Sequence, residues 1–356
     1  MTTTTAQQLT DDATALLKRL IAIPSFSKEE HGTADAISGF LVRRQVEAQR
    51  LGNNVWARNK CFDGKKPTIL LNSHHDTVKP NAGYTNDPFR ALEQDGKLYG
   101  LGSNDAGGCL VALLATFLHY YDRQDLRYNL IFAATAEEEI SGEHGISALL
   151  PYLGDIDCAI VGEPTQMQMA VAEKGLMVLD CTVHGTAAHA ANSNGDNAIY
   201  KAMKDIGWFR DFHFPIVSPL LGPVKMTVTI INAGTQHNVV PGKCVFTVDC
   251  RINECYSHEQ VLDEVRKNVT CDVNPRSMRM RATAIDAEHP LVRSGSRLGR
   301  SLYGSPTLSD KALMPFPALK MGPGDSARSH SADEFIYLSE IEEGIDMYIQ
   351  MLSQLL

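Results

Sequence analysis

Short apolar runs at residues 54–58, 68–72, 129–135 and 158–161 alternate with helical patterns near residues 107–121 and 142–150, which restricts this stretch to an α/β fold with a mostly parallel sheet. Two amphipathic helices precede the first run. One covers residues 9–23, opened by Thr10, Asp11 and Asp12 and stopped by Pro24; the other covers residues 28–47. At about Glu173 the pattern changes. The runs at residues 177–183, 224–231 and 244–252 alternate more openly, with helices at 196–209 and 257–268 between or after them. A last strand near residues 279–285 would complete a four-stranded, ferredoxin-like α+β domain. After about Asp286 the first style returns, with helices near residues 291–302 and 339–355. With 356 residues the chain exceeds one ordinary core. The expected arrangement is a discontinuous larger domain, residues 1–173 and 286–356, carrying an inserted domain at 174–285.

Charge narrows the partners. There are 33 basic against 42 acidic residues, a formal charge of -9, and no Lys/Arg stripe, so nucleic acid is not expected. No apolar run is long enough to span a bilayer, and the start, Met1 to Gln8, is polar and lacks the basic and apolar parts of a leader. The eight cysteines form no C-x-x-C pair and mostly sit in apolar runs, as reduced thiols of a cytoplasmic protein do.

Five segments carry chemistry: His74-His75-Asp76, Asn104-Asp105, Glu137-Glu138-Glu139, Gly162-Glu163-Pro164 and Ser329-His330-Ser331. Four follow or adjoin a β-type run, where a parallel sheet presents side chains at its carboxyl edge, and their convergence would bind one or two divalent metals. Side chains alternate along a strand, so His74 and Asp76 share a face while His75 points away. That makes His74 the ligand candidate and Asp76 its orienter. The alternative is a polar strand end. Asp105 opens a helix and either caps it or ligates. Three consecutive glutamates repel one another unless solvated or met by cations. They form either a surface turn or a pair in which one carboxylate binds metal and its neighbour takes a proton. Glu163 and His330 lie on loops, where a solvated side chain is the competing reading.

Read jointly, these segments resemble the M20 family of zinc-dependent amidohydrolases and peptidases, over nearly the full chain from Ile23-Pro24-Ser25 to His330-Ser331-Ala332-Asp333-Glu334. The family's H-x-D matches His74 and Asp76, its bridging aspartate Asp105, and its paired glutamates Glu138 and Glu139. Glu163 stands in the G-E-P-T wording and His330 in H-S-x-x-E. The resemblance implies a zinc-peptidase-like catalytic domain with an inserted dimerisation domain. It also implies two Zn²⁺ ions, with Co²⁺ or Mn²⁺ as substitutes, held by His74, Asp105, Glu139, Glu163 and His330, and Glu138 as general base. Gly185 to His189 resembles the family's G-x-x-x-H segment, so His189 would reach a partner subunit's site in a homodimer formed through residues 174–285. Asn238, Arg251 and Gly324 resemble substrate-contacting positions, Arg251 being suited to a carboxylate. Two departures are visible. Asp105 is followed by Ala106-Gly107-Gly108 where Met-Lys-Gly is common, and Arg328 sits two residues before His330.

The expected reaction is hydrolysis of the amide of a small N-acyl amino acid. The resemblance points first to the acetylornithine deacetylase pattern, with a role in arginine biosynthesis. A succinyl group on ornithine, citrulline or diaminopimelate is the alternative, its charge met by Arg328 or by Arg276, Arg279 and Arg281. A dipeptidase or carboxypeptidase would use the same metals.

Overall fold

The computed structural model describes residues 6–192 and 194–356; the polar start at residues 1–5, on which the expectation of no leader partly rests, lies outside them. The chain forms two units. The first comprises Met1–Val171, Ile285–Tyr303 and Ser309–Leu356, and the second Ala172–Ala284 and Gly304–Leu308.

In the first unit the central strands run in the order Asn129–Thr135, Thr68–His74, Cys158–Val161 and Ala318–Lys320, all parallel. Antiparallel strands flank them: Asn54–Arg58 beside Asn129–Thr135, and Met169–Glu173 through the pairing of Lys320 with Ala170. Period-two alternation sorts the apolar side chains onto both faces. Ile69, Leu71, Leu130, Phe132 and Ile160 join a core with the helices Ala6–Ile21, His31–Arg43, Gly108–Tyr120 and Leu338–Ser353. Leu70, Ile131, Ala133, Ala159 and Val161 face the other way, against Ile146, Leu149 and Leu153 of Ile146–Leu153. Strands covered on both sides need apolar residues at every position, which is why these runs read as continuous. Fully burying one such Phe or Leu is worth about 1.5–3 kcal/mol, so the sheet's centre is the least deformable part of this unit.

The second unit is a four-stranded antiparallel sheet in the order Lys225–Ala233, Lys243–Ile252, Gly175–His184 and Asp272–Pro275. Helices Ala198–Asp211 and His258–Asn268 pack on the face that carries Met177, Leu179, Cys181, Phe246 and Val248. The ferredoxin-like β-α-β-β-α-β order is present, but its last strand is not at residues 279–285. Asp272–Pro275 takes that place directly after the second helix, while Thr283–Ala284 pairs with Ala172 and Glu173 instead. The regular register closes at Pro275, which has no N–H to give, although Arg276 N still donates to the Val178 carbonyl at 2.9 Å.

All eight cysteines are free. Among the described residues no helix is long and apolar enough to cross a membrane.

Candidate metal centre

Each central strand hands its chain to the site at its carboxyl end. Thr68–His74 ends on His74 itself, Asn129–Thr135 runs into the three glutamates, Cys158–Val161 into Glu163, and Ala318–Lys320 into the loop that reaches His330. Parallel neighbours place these ends side by side, the usual location of a ligand site in such sheets. Asp105 arrives from Ser103–Gly107, an irregular turn ahead of the helix Gly108–Tyr120. It does not cap that helix, whose N-cap position is Gly107 with no side-chain cap.

The side chains meet. His74 Nε2 lies 3.3 Å from Asp105 Oδ1, 3.8 Å from Glu163 Oε1 and 3.9 Å from Glu138 Oε2. His330 Nε2 lies 3.0 Å from Glu139 Oε2 and 3.7 Å from Asp105 Oδ2. The two oxygens of Asp105 therefore face two different imidazoles. His74 is buried at 1% exposure and His330 stands at the rim at 53%, so the centre opens toward solvent on the His330 side. Two donor groups, His74 with Glu138 and Glu163 and His74 with Asp105 and Glu139, each lie within 4.8 Å.

The electrostatics suit a cation. Burial pushes the Glu138 carboxyl well above the usual range; the charge of His74 opposes this, while those of Glu163, Asp310 and Glu139 add to it. Burial works against the charged form of His74, yet hydrogen bonds with Asp105 and Asp76 and the charges of Glu138 and Glu163 raise it well above its ordinary value. Asp105 is depressed against its own burial by His74, Ser329 and His330. Four carboxylates and two imidazoles crowded in this way fit divalent cations that take both nitrogen and oxygen donors, as Zn²⁺, Co²⁺ and Mn²⁺ do.

Asp76 does more than orient His74. His74 Nδ1 is 3.0 Å from the Asp76 carbonyl oxygen and 3.4 Å from its Oδ1. The Asp76 carboxylate also accepts the backbone N–H groups of Glu138 and Glu139, at 3.0 and 3.2 Å, and the Ser27 hydroxyl at 2.7 Å. It thus holds the glutamate pair as well as the imidazole. Glu137 takes no part in the donor groups. With φ 57 it turns the chain, and its N–H donates to buried Glu30. His75 faces away, between Thr33 and the Asn53 carbonyl.

Two further buried acids, Glu334 and Asp310, support the site from behind. Glu334 accepts the N–H groups of Gly102, Asn104 and Asp105 at 2.9–3.0 Å. Burial and the charge of Asp105 lift its carboxyl to about 7. The H-s-x-x-E wording contained this residue, and the pairing of Phe335–Tyr337 with Lys97–Tyr99 delivers it to the Asp105 loop. Glu334→Ala leaves three donors without an acceptor. The expected result, read by equilibrium dialysis, is metal affinity lower by about 10–100-fold, the usual loss when an outer support of a metal site is removed; unchanged affinity would make Glu334 a support of the fold alone. Asp310, also buried, accepts from Asn72 Nδ2 at 2.9 Å and Thr135 Oγ1 at 2.6 Å, tying together the strands that end at His74 and before the glutamates. No local motif marks it.

Gly324, at φ 88, passes so close to Asn104 that a Cβ would come within 2.4 Å of its Oδ1. The remaining expected contacts lie in the second unit. There Ala188–His189 pairs with Val239–Val240, setting exposed His189 next to Asn238, whose carbonyl accepts from Ala190 N at 2.8 Å. Arg251 already grips Asp249 through Nε and Nη2, at 2.9 and 3.1 Å. Arg328 is committed to a bidentate pair with Glu340, both contacts 2.7 Å, beneath Phe335 and Tyr337. Arg276 is likewise paired with Asp180, and Arg281 with Glu259. These three are thus not spare charges awaiting a succinyl group.

The sequence pattern of Peptidase family M20/M25/M40 matches residues 70–354. The chain is similar to succinyl-diaminopimelate desuccinylase of Corynebacterium glutamicum, 27% identical with 97% of each chain covered. It is also similar to the enzyme of that name from Wolbachia pipientis, 26% identical over 73% of this chain and 70% of the relative. Its fold is shared with an aminopeptidase from Bacillus cereus, at TM-score 0.77 and 18% identity over 97% of this chain and 98% of that one. A dinuclear metal-binding peptidase of the M20 family from Bacillus subtilis gives TM-score 0.74 and 17% identity, with 98% of each chain covered. A two-unit α/β fold with clustered imidazole and carboxylate donors, in this company, defines a metal-binding hydrolase of amide bonds. The chain belongs to peptidase family M20/M25/M40.

Proposed function

We propose that the chain hydrolyses the amide bond of an N-acyl amino acid at a two-metal centre, with Glu138 as the proton carrier. The observation that carries this is the bifacial Asp105, one oxygen toward His74 and the other toward His330, with Glu138 alongside. His74 and Glu163 would hold one cation, Glu139 and His330 the other, and Asp105 both. When bound, the cations would supply Lewis-acid polarisation of the acyl oxygen and a more acidic water. Glu138, raised by burial, takes the proton of the attacking water and passes it to the departing amine nitrogen. Asp76 keeps Glu138 and Glu139 in place by holding their backbone N–H groups.

Residues 174–285 are proposed to form a homodimer. The sheet ends in strand Lys225–Ala233, which exposes Ile230 and Ile231, while the helix Ala198–Asp211 exposes Tyr200 and Met203. Such an edge with an apolar flank is suited to pairing with a second copy. His189 and Asn238 would then serve the partner's substrate, His189 as donor to the developing oxyanion. Arg251 would offer a substrate carboxylate the edge that Asp249 leaves open. Free thiols suit a cytoplasmic setting.

For the acyl group we favour succinyl over the acetyl group of the acetylornithine pattern, because the similar desuccinylases carry that name. The test compares kcat/KM of metal-loaded protein on N-succinyl-diaminopimelate, N-succinylornithine, N-acetylornithine and a dipeptide. A preference of at least about tenfold, or 1.4 kcal/mol, for a succinyl substrate is expected. Higher activity on N-acetylornithine restores the acetyl reading, and release of amino acids from the dipeptide alone overturns the deacylase assignment. Chelation should abolish every activity, and restoring Zn²⁺, Co²⁺ or Mn²⁺ should return it.

A further inference from the structure

A cavity in the first unit, of about 350 Å³, lies between the helix Leu338–Ser353 and the segments at Gln166–Met167, Arg300 and Pro323–Gly324. This is the small end of the roughly 300–1,000 Å³ range of small-molecule sites. Its wall carries both signs of charge. Arg300 stands on one side, and its buried Nε has no hydrogen-bond partner. That nitrogen is as closed to a ligand as it is to water, but Arg300 is only half-buried and makes no ion pair among the described residues, so the outer nitrogens of its guanidinium keep their charge for an incoming anionic group. From the helix come Glu340, Glu343 and Asp346. Glu340 is already neutralised by Arg328, whose two nitrogens lie 2.7 Å from its oxygens. Glu343 and Asp346 are exposed and belong to the same helix face. Met167 and Met347 supply adaptable apolar wall, and Gln166 and Gln350 supply amides.

We propose that this cavity binds an α-amino acid with a second amino group. Arg300 would take its carboxylate, and Glu343 and Asp346 its two ammonium groups. Two carboxylates against one guanidinium leave the wall one negative charge in excess, which a basic amino acid matches and a neutral or acidic one does not. The site borders the metal centre without sharing a donor with it. Gln166 N donates to the Gly324 carbonyl at 2.6 Å, and on the other side of that loop Asp325 N donates to Asn104 Oδ1 at 3.0 Å. An occupant therefore rests against the loops that carry Glu163 and His330, which suits an effector. The binding itself does not depend on which amide the enzyme cuts.

Calorimetric titration of the metal-loaded protein with L-lysine and L-ornithine tests the proposal. Saturable binding is expected. Arg300→Met and the double variant Glu343→Gln/Asp346→Asn should each weaken it by about tenfold or more, the worth of a lost charge-assisted contact. Met347→Trp, which fills the space without changing charge, should abolish it. 1,5-Diaminopentane, which lacks the carboxylate, and glutarate, which lacks the amines, should not bind. Unaltered melting temperature and amidase activity in the variants would show that the fold and metal centre are intact. No binding to the wild type, binding that survives both Arg300→Met and Met347→Trp, or equally tight binding of 1,5-diaminopentane would overturn the assignment.

Discussion

Replacing Glu138 by alanine is expected to lower kcat by about 10²–10⁴-fold, the range for a lost general acid–base group, while two metal ions per chain remain. The expectation follows from position. Glu138 lies 3.9 Å from His74 but shares no contact with His330, and burial among like charges raises its affinity for a proton. Because Glu138 also falls in one donor group with His74 and Glu163, metal analysis of the variant is decisive. Loss of one equivalent would make Glu138 a ligand, and retention of activity would remove it from the reaction altogether. The variant also reports on the dimer. An equal mixture of Glu138→Ala and His189→Ala subunits, each inactive alone, should recover about a quarter of wild-type activity. Half of randomly assorted dimers are mixed, and each mixed dimer has one complete site of two. No recovery in verified mixed dimers would confine each site to its own subunit.

Asp105→Ala should be the more damaging change to the centre. Its two oxygens, 3.3 Å from His74 and 3.7 Å from His330, are the only side chain in contact with both imidazoles among the described ion pairs. Without it the cations lose their common ligand, so metal content should fall below one per chain after dialysis and activity by at least about 10³-fold, near the cost of losing a principal electrostatic contact in a water-poor site. The protein should still melt cooperatively, since Asp105 caps no helix. Full metal content in this variant would refute the bridging role.

Much of the site was readable because parallel strands convert local sequence into common location. The apolar runs 129–135 and 158–161 coincide with strands Asn129–Thr135 and Cys158–Val161. Whatever polar residues follow such runs share an edge, so His74, Glu138, Glu139 and Glu163 could be grouped before any distance was known. The fourth parallel strand has no such signature. Ala318–Lys320 is three residues long and follows the prolines at 315 and 317, so it has neither length nor periodicity. The H-S-x-x-E wording includes Glu334 without showing what it holds, and nothing local marks Asp310. Their partners, Asp105 and Asn72, lie 229 and 238 positions away, so what these buried acids hold is not local in the sequence. Arg328, Arg276 and Arg281 read as available charge because ion pairing is likewise not local.

By itself the order of residues determined the family, the α/β alternation, the change of style in the middle and the identity of the candidate donors, since each depends on contacts between near neighbours or on motifs carried whole. Only the tertiary structure decided that Asp105 turns one oxygen to each histidine, that Asp76 clasps the glutamate backbone, and that Arg300 is left without an acceptor in its own cavity. Those outcomes are set by packing between segments distant along the chain, 31 positions for His74 and Asp105 and 62 for Asp76 and Glu138, where free energy depends on distance and burial rather than on order along the chain.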